Sequence, residues 1–305
     1  MITKHTYGSL QWVDVESPKE DEVRALMSEF SLHPDTANDL LSPTRRPFVE
    51  SRENYLYLVL HFPALKHTHT YNNDDQEIDF VIGKDFIITN RYETIDPLHK
   101  FSKVFEVGSI LEKGTTSEHA GYIFFTMVRK MYKSIEHELS SIRDDIERIE
   151  ESIFSGNEKE MVVELSVVGR NLLNLRQSLA THRDILASLK DVSNTFFGQD
   201  FSRPIDIILN DYYRIFRHIE THSEWLKELR DTNNSLLSTK QNEIMKVLTI
   251  MAFVTFPLSL ISSTFGMNTE NLPIVGSPHD FWIIISGMAI LSASFFVFFW
   301  YKKWL

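Results

Sequence analysis

Asp231, Ser235, Ser238, Asn242, Met245, Thr249, Ala252, Phe256, Ser259 and Ser263 follow one another by steps of four and three, the spacing that places side chains on one face of a helix. Nearly all are small or carry oxygen, yet the second half of the set lies in Val247–Phe265, a run without a charged residue. Hydroxyl and amide oxygens suit hard cations and the water around them. At membrane depth such side chains face a bundle interior or a water-filled path; close packing of small residues between helices is the alternative use. The stripe ends at Gly266-Met267-Asn268, where a glycine permits a sharp helix exit. Two spans in one chain cannot enclose a channel, so a stripe that lines a pore requires several copies around it.

The elements that position this stripe can be read from charge and periodicity. Val247–Phe265 and Phe281–Tyr301 are both free of charge, and about 20 apolar residues cross a hydrocarbon core of about 30 Å as a helix. Two buried core helices would be the soluble alternative. Trp282, Trp300, Tyr301 and Trp304 edge the second run as an aromatic belt would. Lys240 and Lys246 precede the first run, Lys302 and Lys303 follow the second, and the connection between them has no Lys or Arg. Both termini are therefore expected in the cytoplasm. "MITKHTYGSL" has no apolar core of a signal peptide, so the large N-terminal part is expected to stay inside. Cysteine is absent, and 42 acidic against 31 basic residues give a net charge of −11. That balance argues against nucleic acid and for a surface that tolerates cations.

The polar part divides further. "LQWVDV", "PFVESRENYLYLVLHFPAL" and "EIDFVIGKDFIITN" alternate in the strand manner, the last with a Gly83-Lys84-Asp85 turn. "SPKEDEVRALMSEF" and "HPDTANDLLS" read as helices, so the first part is α/β. "HELSSIRDDIERIEESIF" and "MVVELSVVGRNLLNLRQSLATHRDILASL" flank "SGNEKE" as an antiparallel helical hairpin whose charges form a solvated face. "DVSNTFFGQDFSRP" reads as a loop. From Ile205 to Phe265 the only helix breaker is Pro257, so a single long helix is expected. Ile208, Tyr212, Ile215, Ile219, His222, Leu226, Leu229, Asn233 and Leu236 form a coiled-coil seam along it.

"GMN" at 266–268 between two terminal spans, "NEIMKVLTI" at 242–250, Pro257 and the terminal "YKKWL" resemble the CorA family of divalent-cation channels. "HPDTANDLLSPTRRPFVE" followed by "NYLYLVLHF" is similar to its soluble part, so the resemblance spans essentially the whole chain. It implies a homopentamer in the cytoplasmic membrane that carries Mg²⁺, with Co²⁺ and Ni²⁺ as further cargo. The implied layout is a cytoplasmic α/β domain at 1–110, a helical hairpin at 111–204 and a stalk helix at 205–265 that becomes the pore-lining span. An external GMN loop at 266–280, an outer span at 281–301 and a basic tail at 302–305 complete it. Mg²⁺ sheds its water reluctantly, so a ring of Asn268 amide oxygens and Gly266 carbonyls accepting hydrogen bonds from the hydrated ion suits it. Asn268 taken alone would be a helix C-cap. Met267 would pack and hold the loop, and Glu270 would form an outer acidic ring. Met245 and Leu248 match the family's apolar constriction. Asn242, Thr249, Ala252, Phe256, Ser259 and Ser263 complete the pore-lining set. Phe256, Phe265 and Thr269 depart from residues common at those places, which bears on selectivity.

The resemblance also places regulatory Mg²⁺ at Asp39 and Asp231, shared between adjacent subunits, with Asp211 as a further candidate. Without it, Asp39 would be read as a surface acid. Asn38 stands where a second sensing site would need an acid. Zinc is the rival cargo: His67 and His69 lie close in sequence, and His218 and His222 share a helix face. A ZntB-like zinc transporter and a membrane-anchored coiled-coil scaffold are therefore the competing readings. An enzyme is not expected, because neither HExxH, a Walker loop nor a nucleophile elbow is present.

Overall fold

Alternation of apolar and polar residues over the first ninety or so positions builds a 6-stranded mixed sheet in the computed structural model of this chain. The structure describes residues 1–7, 9–44, 46–64, 75–92, 101, 119–268, 274–276 and 278–304. The chain divides into two compact units, Met1–Arg230 and Asp231–Leu305.

In the first unit, β1 (Ile2–Tyr7), β2 (Leu10–Glu16), β3 (Phe48–Ser51), β4 (Leu56–Phe62), β5 (Gln76–Ile82) and β6 (Phe86–Arg91) lie in the order β1-β2-β6-β5-β4-β3. Only the β2–β6 pair is parallel. The expected Gly83-Lys84-Asp85 turn joins β5 to β6, closed by the Gly83 N–H on the Phe86 carbonyl at 2.8 Å. The N-terminal decapeptide, read above only for what it lacks, supplies β1, which pairs with β2 from Ile2↔Val15 to Tyr7↔Leu10.

Both sheet faces are covered, which is why β5 is buried along its whole length. One face packs Val13, Val59, Val81 and Ile88 against Val23 and Leu26 of α1 (Glu20–Phe30) and Ala37 of α2 (Pro34–Asp39). Glu22 caps α1 by accepting the Lys19 N–H at 2.9 Å, and that bond holds its carboxyl below the usual range. His33 Nδ1 caps α2 by accepting the Asp35 N–H at 3.2 Å. The other face meets α3 (Gly121–Phe154), where Phe80 and Phe124 make an edge contact at 5.1 Å between ring centroids.

The expected hairpin is present as α3 and α4 (Glu158–Leu179), joined at Ser155–Asn157, with Arg148 Nη1 on Glu164 Oε2 at 2.7 Å tying the two. Its second arm is shorter than the sequence suggested. The chain breaks at Ala180–Thr181 and restarts as α5 (His182–Phe197). That restart places His182, fully buried, against Tyr132. Burial pushes the His182 pKa down to about 4, so the ring is neutral at pH 7. The carbonyl of His61 accepts from its Nε2–H at 2.7 Å, which leaves Nδ1 to accept the Tyr132 hydroxyl at 2.8 Å. "DVSNTFFGQDFSRP" is mostly helix rather than loop. Asp191–Phe197 completes α5, Gly198 takes φ 94°, and a single 3₁₀ turn leads into α6. His119 and Phe201 fix this corner on Phe197, the former stacking at 4.2 Å.

α6 runs unbroken from Ser202 to Phe265. The seam residues Ile208, Tyr212, Ile215, Ile219, His222, Leu226, Leu229 and Asn233 are all buried, as their spacing requires. The second unit holds the rest of α6 and α7 (Asp280–Tyr301); these are two helices long and apolar enough to cross a membrane.

Candidate ion pathway and sensing residues

The stripe on α6 is presented, not buried. Asp231, Ser235, Ser238, Asn242, Met245, Ala252, Phe256, Ser259 and Ser263 are exposed in the single chain, and Thr249 is half-buried. Hydroxyls along α6 donate back to the helix: Thr249 Oγ1 to the Met245 carbonyl at 2.7 Å, and Thr264 Oγ1 to Leu260 at 2.7 Å. Their protons are thus occupied, and the outward side of each oxygen is an acceptor. Such outward acceptor oxygens suit a cation carrying its water. Pro257 has no N–H for the Phe253 carbonyl four residues back, which loosens the helix within the apolar run. Met245 and Leu248, the expected constriction, are each more than half exposed, as is Phe256.

At the end of the stripe, the Gly266 N–H still reaches the Ser262 carbonyl at 2.9 Å, and the helix then stops. A methyl group on Gly266 would stand 3.1 Å from that carbonyl oxygen, so a side chain here would crowd the last turn and require a shift of a few tenths of an ångström. Asn268 follows, exposed. Met267 is also exposed, so within one chain it does not pack as expected. Glu270 and Thr269 lie outside the described residues. Asp280 has a structural task. Its carboxylate accepts the Gly276 N–H at 3.2 Å and the Phe281 N–H at 2.7 Å, which fixes the entry to α7. At the other end of the unit, Lys246 Nζ donates to the Lys303 carbonyl at 3.4 Å, and Trp304 stacks on Phe299 at 5.8 Å.

The candidate sensing residues separate. Asp39 ends α2, half-buried. Burial and the nearby carboxylates of Asp35 and Glu50 push its pKa up, against a smaller opposing effect of Arg52. A carboxylate among like charges is relieved by a cation. Tyr92 holds the end of α2 on the sheet by donating to the Asp39 carbonyl at 3.2 Å. Beneath it lies a buried acidic pair. Glu77 accepts the Thr44 N–H and hydroxyl at 2.8 Å each and meets His61 Nε2 at 3.1 Å. Burial opposes its ionisation, but the bonds from His61 and Thr44 outweigh it and lower its pKa, while the same pairing raises that of His61. Asp79, fully buried, accepts the Asn90 amide at 2.8 Å; burial drives its pKa well up. Spacing in sequence gave no sign of this network, because its members come from three strands and a loop.

Asp231 is exposed on α6. Asp211 is not a free ligand: its two oxygens meet Arg129 Nε at 2.9 Å and Arg214 Nη2 at 3.0 Å. The sequence concealed this because Arg129 sits on another helix. Among the described residues no group of three or more His, Asp or Glu could hold a metal ion. Asp39 therefore has hard-oxygen chemistry fit for Mg²⁺ but needs ligands from elsewhere. His218 and His222 stand 6.2 Å apart between ring centroids, and burial, His218 and Arg143 push the His222 pKa down. His67 and His69 lie outside the described residues.

The family model described as "CorA-like Mg2+ transporter protein" matches residues 7–303. The Cobalt/magnesium transport protein CorA of Thermotoga maritima is 27% identical over 300 residues, covering 96% of this chain and 83% of the relative. The solved CorA magnesium transporter of Methanocaldococcus jannaschii has a TM-score of 0.83 at 20% identity, covering 99% of this chain and 94% of that one. The ZntB cytoplasmic domain of Vibrio parahaemolyticus has a TM-score of 0.62 at 13% identity, over 76% of this chain and 90% of that one.

Proposed function

We propose that this chain, which belongs to the CorA-like Mg²⁺ transporter family, passes hydrated Mg²⁺ through the cytoplasmic membrane along the stripe on α6. It is a divalent-cation transporter and not an enzyme. The observation that carries the finer reading is the exposed, largely small or polar stripe that enters the charge-free run Val247–Phe265 and ends at Gly266-Met267-Asn268. A homopentamer surrounds the pathway, both termini lie in the cytoplasm, and the Asn268 amide oxygens bind the ion through its water. Met245 and Leu248 close the bore by excluding water when it narrows. Glu270 draws cations to the outer mouth. Cobalt in the name of the T. maritima relative supports Co²⁺ as further cargo, and Ni²⁺ has similar hydrated size and charge.

Regulation fits the same charges. Mg²⁺ between Asp39 of one subunit and Asp231 of the next offsets their repulsion and favours the closed ring; its loss loosens the ring. Arg129 and Arg214 already neutralise Asp211, so it drops out of this set.

Flux into liposomes tests the reading. Mg²⁺ entry is expected, blocked by a hexammine cobalt complex and reduced by roughly an order of magnitude or more in Asn268→Ala. Zinc entry driven by a proton gradient, without Mg²⁺ entry, would replace it with the zinc reading. No flux of Mg²⁺, Co²⁺, Ni²⁺ or Zn²⁺ would leave a scaffold.

A further inference from the structure

A groove between α4 and α6, separate from the proposed ion pathway, encloses about 670 Å³. Its rims carry Arg170 and Arg176 from α4 and Lys227 and Arg230 from α6, over a floor of Leu172 and Leu226. No carboxylate lines it, and among the described residues none of the four cations has an ion-pair partner. The contrast with a second groove, between α3 and α6, is direct. There Asp211 takes both Arg129 and Arg214, and Glu136 takes Arg214 again at 3.2 Å. In a chain of net charge −11, four cations line one cleft without an ion-pair partner among the described residues, and an anion would relieve their mutual repulsion.

The local geometry favours a multiply charged anion over a neutral or singly charged ligand. Gly169 has no side chain where a Cβ would come within 3.1 Å of Arg230 Nη2, so the guanidinium can lie across α4. Ser166 and Ser223 spend their protons on the Val162 and Ile219 carbonyls, at 3.0 and 2.7 Å. Recognition then falls to the cations, and guanidinium groups bind phosphate oxygens two at a time. Leu173 stands half exposed at the wall, and the volume falls within the range of small-molecule sites. We propose that this groove binds a nucleoside polyphosphate, phosphates on Arg170, Arg176, Lys227 and Arg230 and base against Leu173. The assignment goes beyond the transport reading and does not depend on it.

Calorimetric titration of the full-length protein in detergent, in low salt without divalent metal, tests the site with ATP, inorganic triphosphate and adenosine. Saturable ATP binding is expected, weakening as salt rises, with no binding of adenosine. Arg170→Gln/Arg230→Gln should weaken ATP about tenfold or more, while Leu173→Asp should weaken ATP more than triphosphate. No saturable binding of ATP or triphosphate to the wild type would overturn the site. Equal binding of both, indifferent to Leu173→Asp, would overturn the nucleoside part. The rival occupant is the acidic face of α3 in a second copy. Loss of oligomers in Arg170→Glu/Arg230→Glu, with ATP binding unchanged, would give the groove to that contact instead.

Discussion

Asp39 carries a pKa raised by burial and by Asp35 and Glu50, and the sign of that shift makes a prediction. A carboxyl that is harder to ionise when folded contributes stability at low pH and loses it as pH rises through the folded value. At pH 7 the ionised Asp39 therefore works against the fold until a cation arrives. Asp39→Asn should raise the melting temperature slightly in chelator, and it should remove most of the further rise that Mg²⁺ gives the wild type. Thermal unfolding with and without Mg²⁺ checks both halves; an undiminished Mg²⁺ increment would take Asp39 out of the sensing role. Asp79 behaves differently because burial pushes its pKa well up, favouring its neutral form. Asp79→Asn should change stability by less than about 1 kcal/mol at pH 7. Asp79→Leu, which strips the Asn90 amide of an acceptor, should cost about 1–3 kcal/mol. Urea unfolding of the two variants separates a neutral acid from a charged one. The Glu77–His61 pair sets its own pH window. The lowered Glu77 supports the fold above its unfolded pKa and fails as pH falls, whereas the raised His61 supports it below about 6.5 and fails as pH rises.

α6 shows how far an element can be read from its residues. Its seam was legible because steps of four and three with apolar residues have one physical meaning, and the seam is buried as far as Asn233. The stripe was legible for the same reason, and it is exposed. Less was legible where the decisive contact is remote. Ala180–Thr181 carries no glycine or proline, and the break there serves His182, whose partners Tyr132 and the His61 carbonyl lie on other elements. Gly198 looked like the middle of a loop, yet helix continues to Phe197, because the aromatic contacts of His119 and Phe201 hold it. Of the candidate site, the stripe and its glycine end were open to sequence, whereas the pairing of Asp211 with Arg129 was not. That difference gives a prediction within one helix. Asp211→Ala should destabilise by about 1 kcal/mol, since it removes the carboxylate between half-exposed Arg129 and Arg214 while Arg214 keeps Glu136. It should leave the Mg²⁺ concentration that protects the chain from protease unchanged. Asp231→Ala should do the reverse, with little loss of stability and weaker protection. Equal protection midpoints in both variants and the wild type would remove Asp231 from sensing.

A lone copy of this chain presents Met245, Leu248, Met251, Phe253, Phe256 and Leu260 to its surroundings, each more than half exposed. Apolar surface on that scale is covered by lipid or by other copies, and the two coverings divide α6 by face. Lipid suits Met251, Phe253 and Leu260, which lie off the stripe, whereas Ser259 and Ser263 are better placed against water or a neighbouring helix. The family and the full-length likeness to CorA supply the architecture, and the arrangement of copies about the stripe is the part to be tested. Absence of cysteine makes the test clean, because every cross-link must come from an introduced residue. Ser259→Cys lies on the stripe, while Ile250→Cys replaces a side chain that is only 9% exposed in the chain itself. If the stripes of several copies face one axis, mild oxidation in membranes should link Ser259→Cys into dimers and leave Ile250→Cys monomeric on a denaturing gel. Disulfide geometry requires Cα atoms within about 7 Å, so linkage should rise when Mg²⁺ is present and the ring is closed, and fall in chelator. Equal linkage of the two variants would mean that the stripe does not face a common axis. The polar residues would then be small-residue packing between helices, and the ion would have to cross elsewhere.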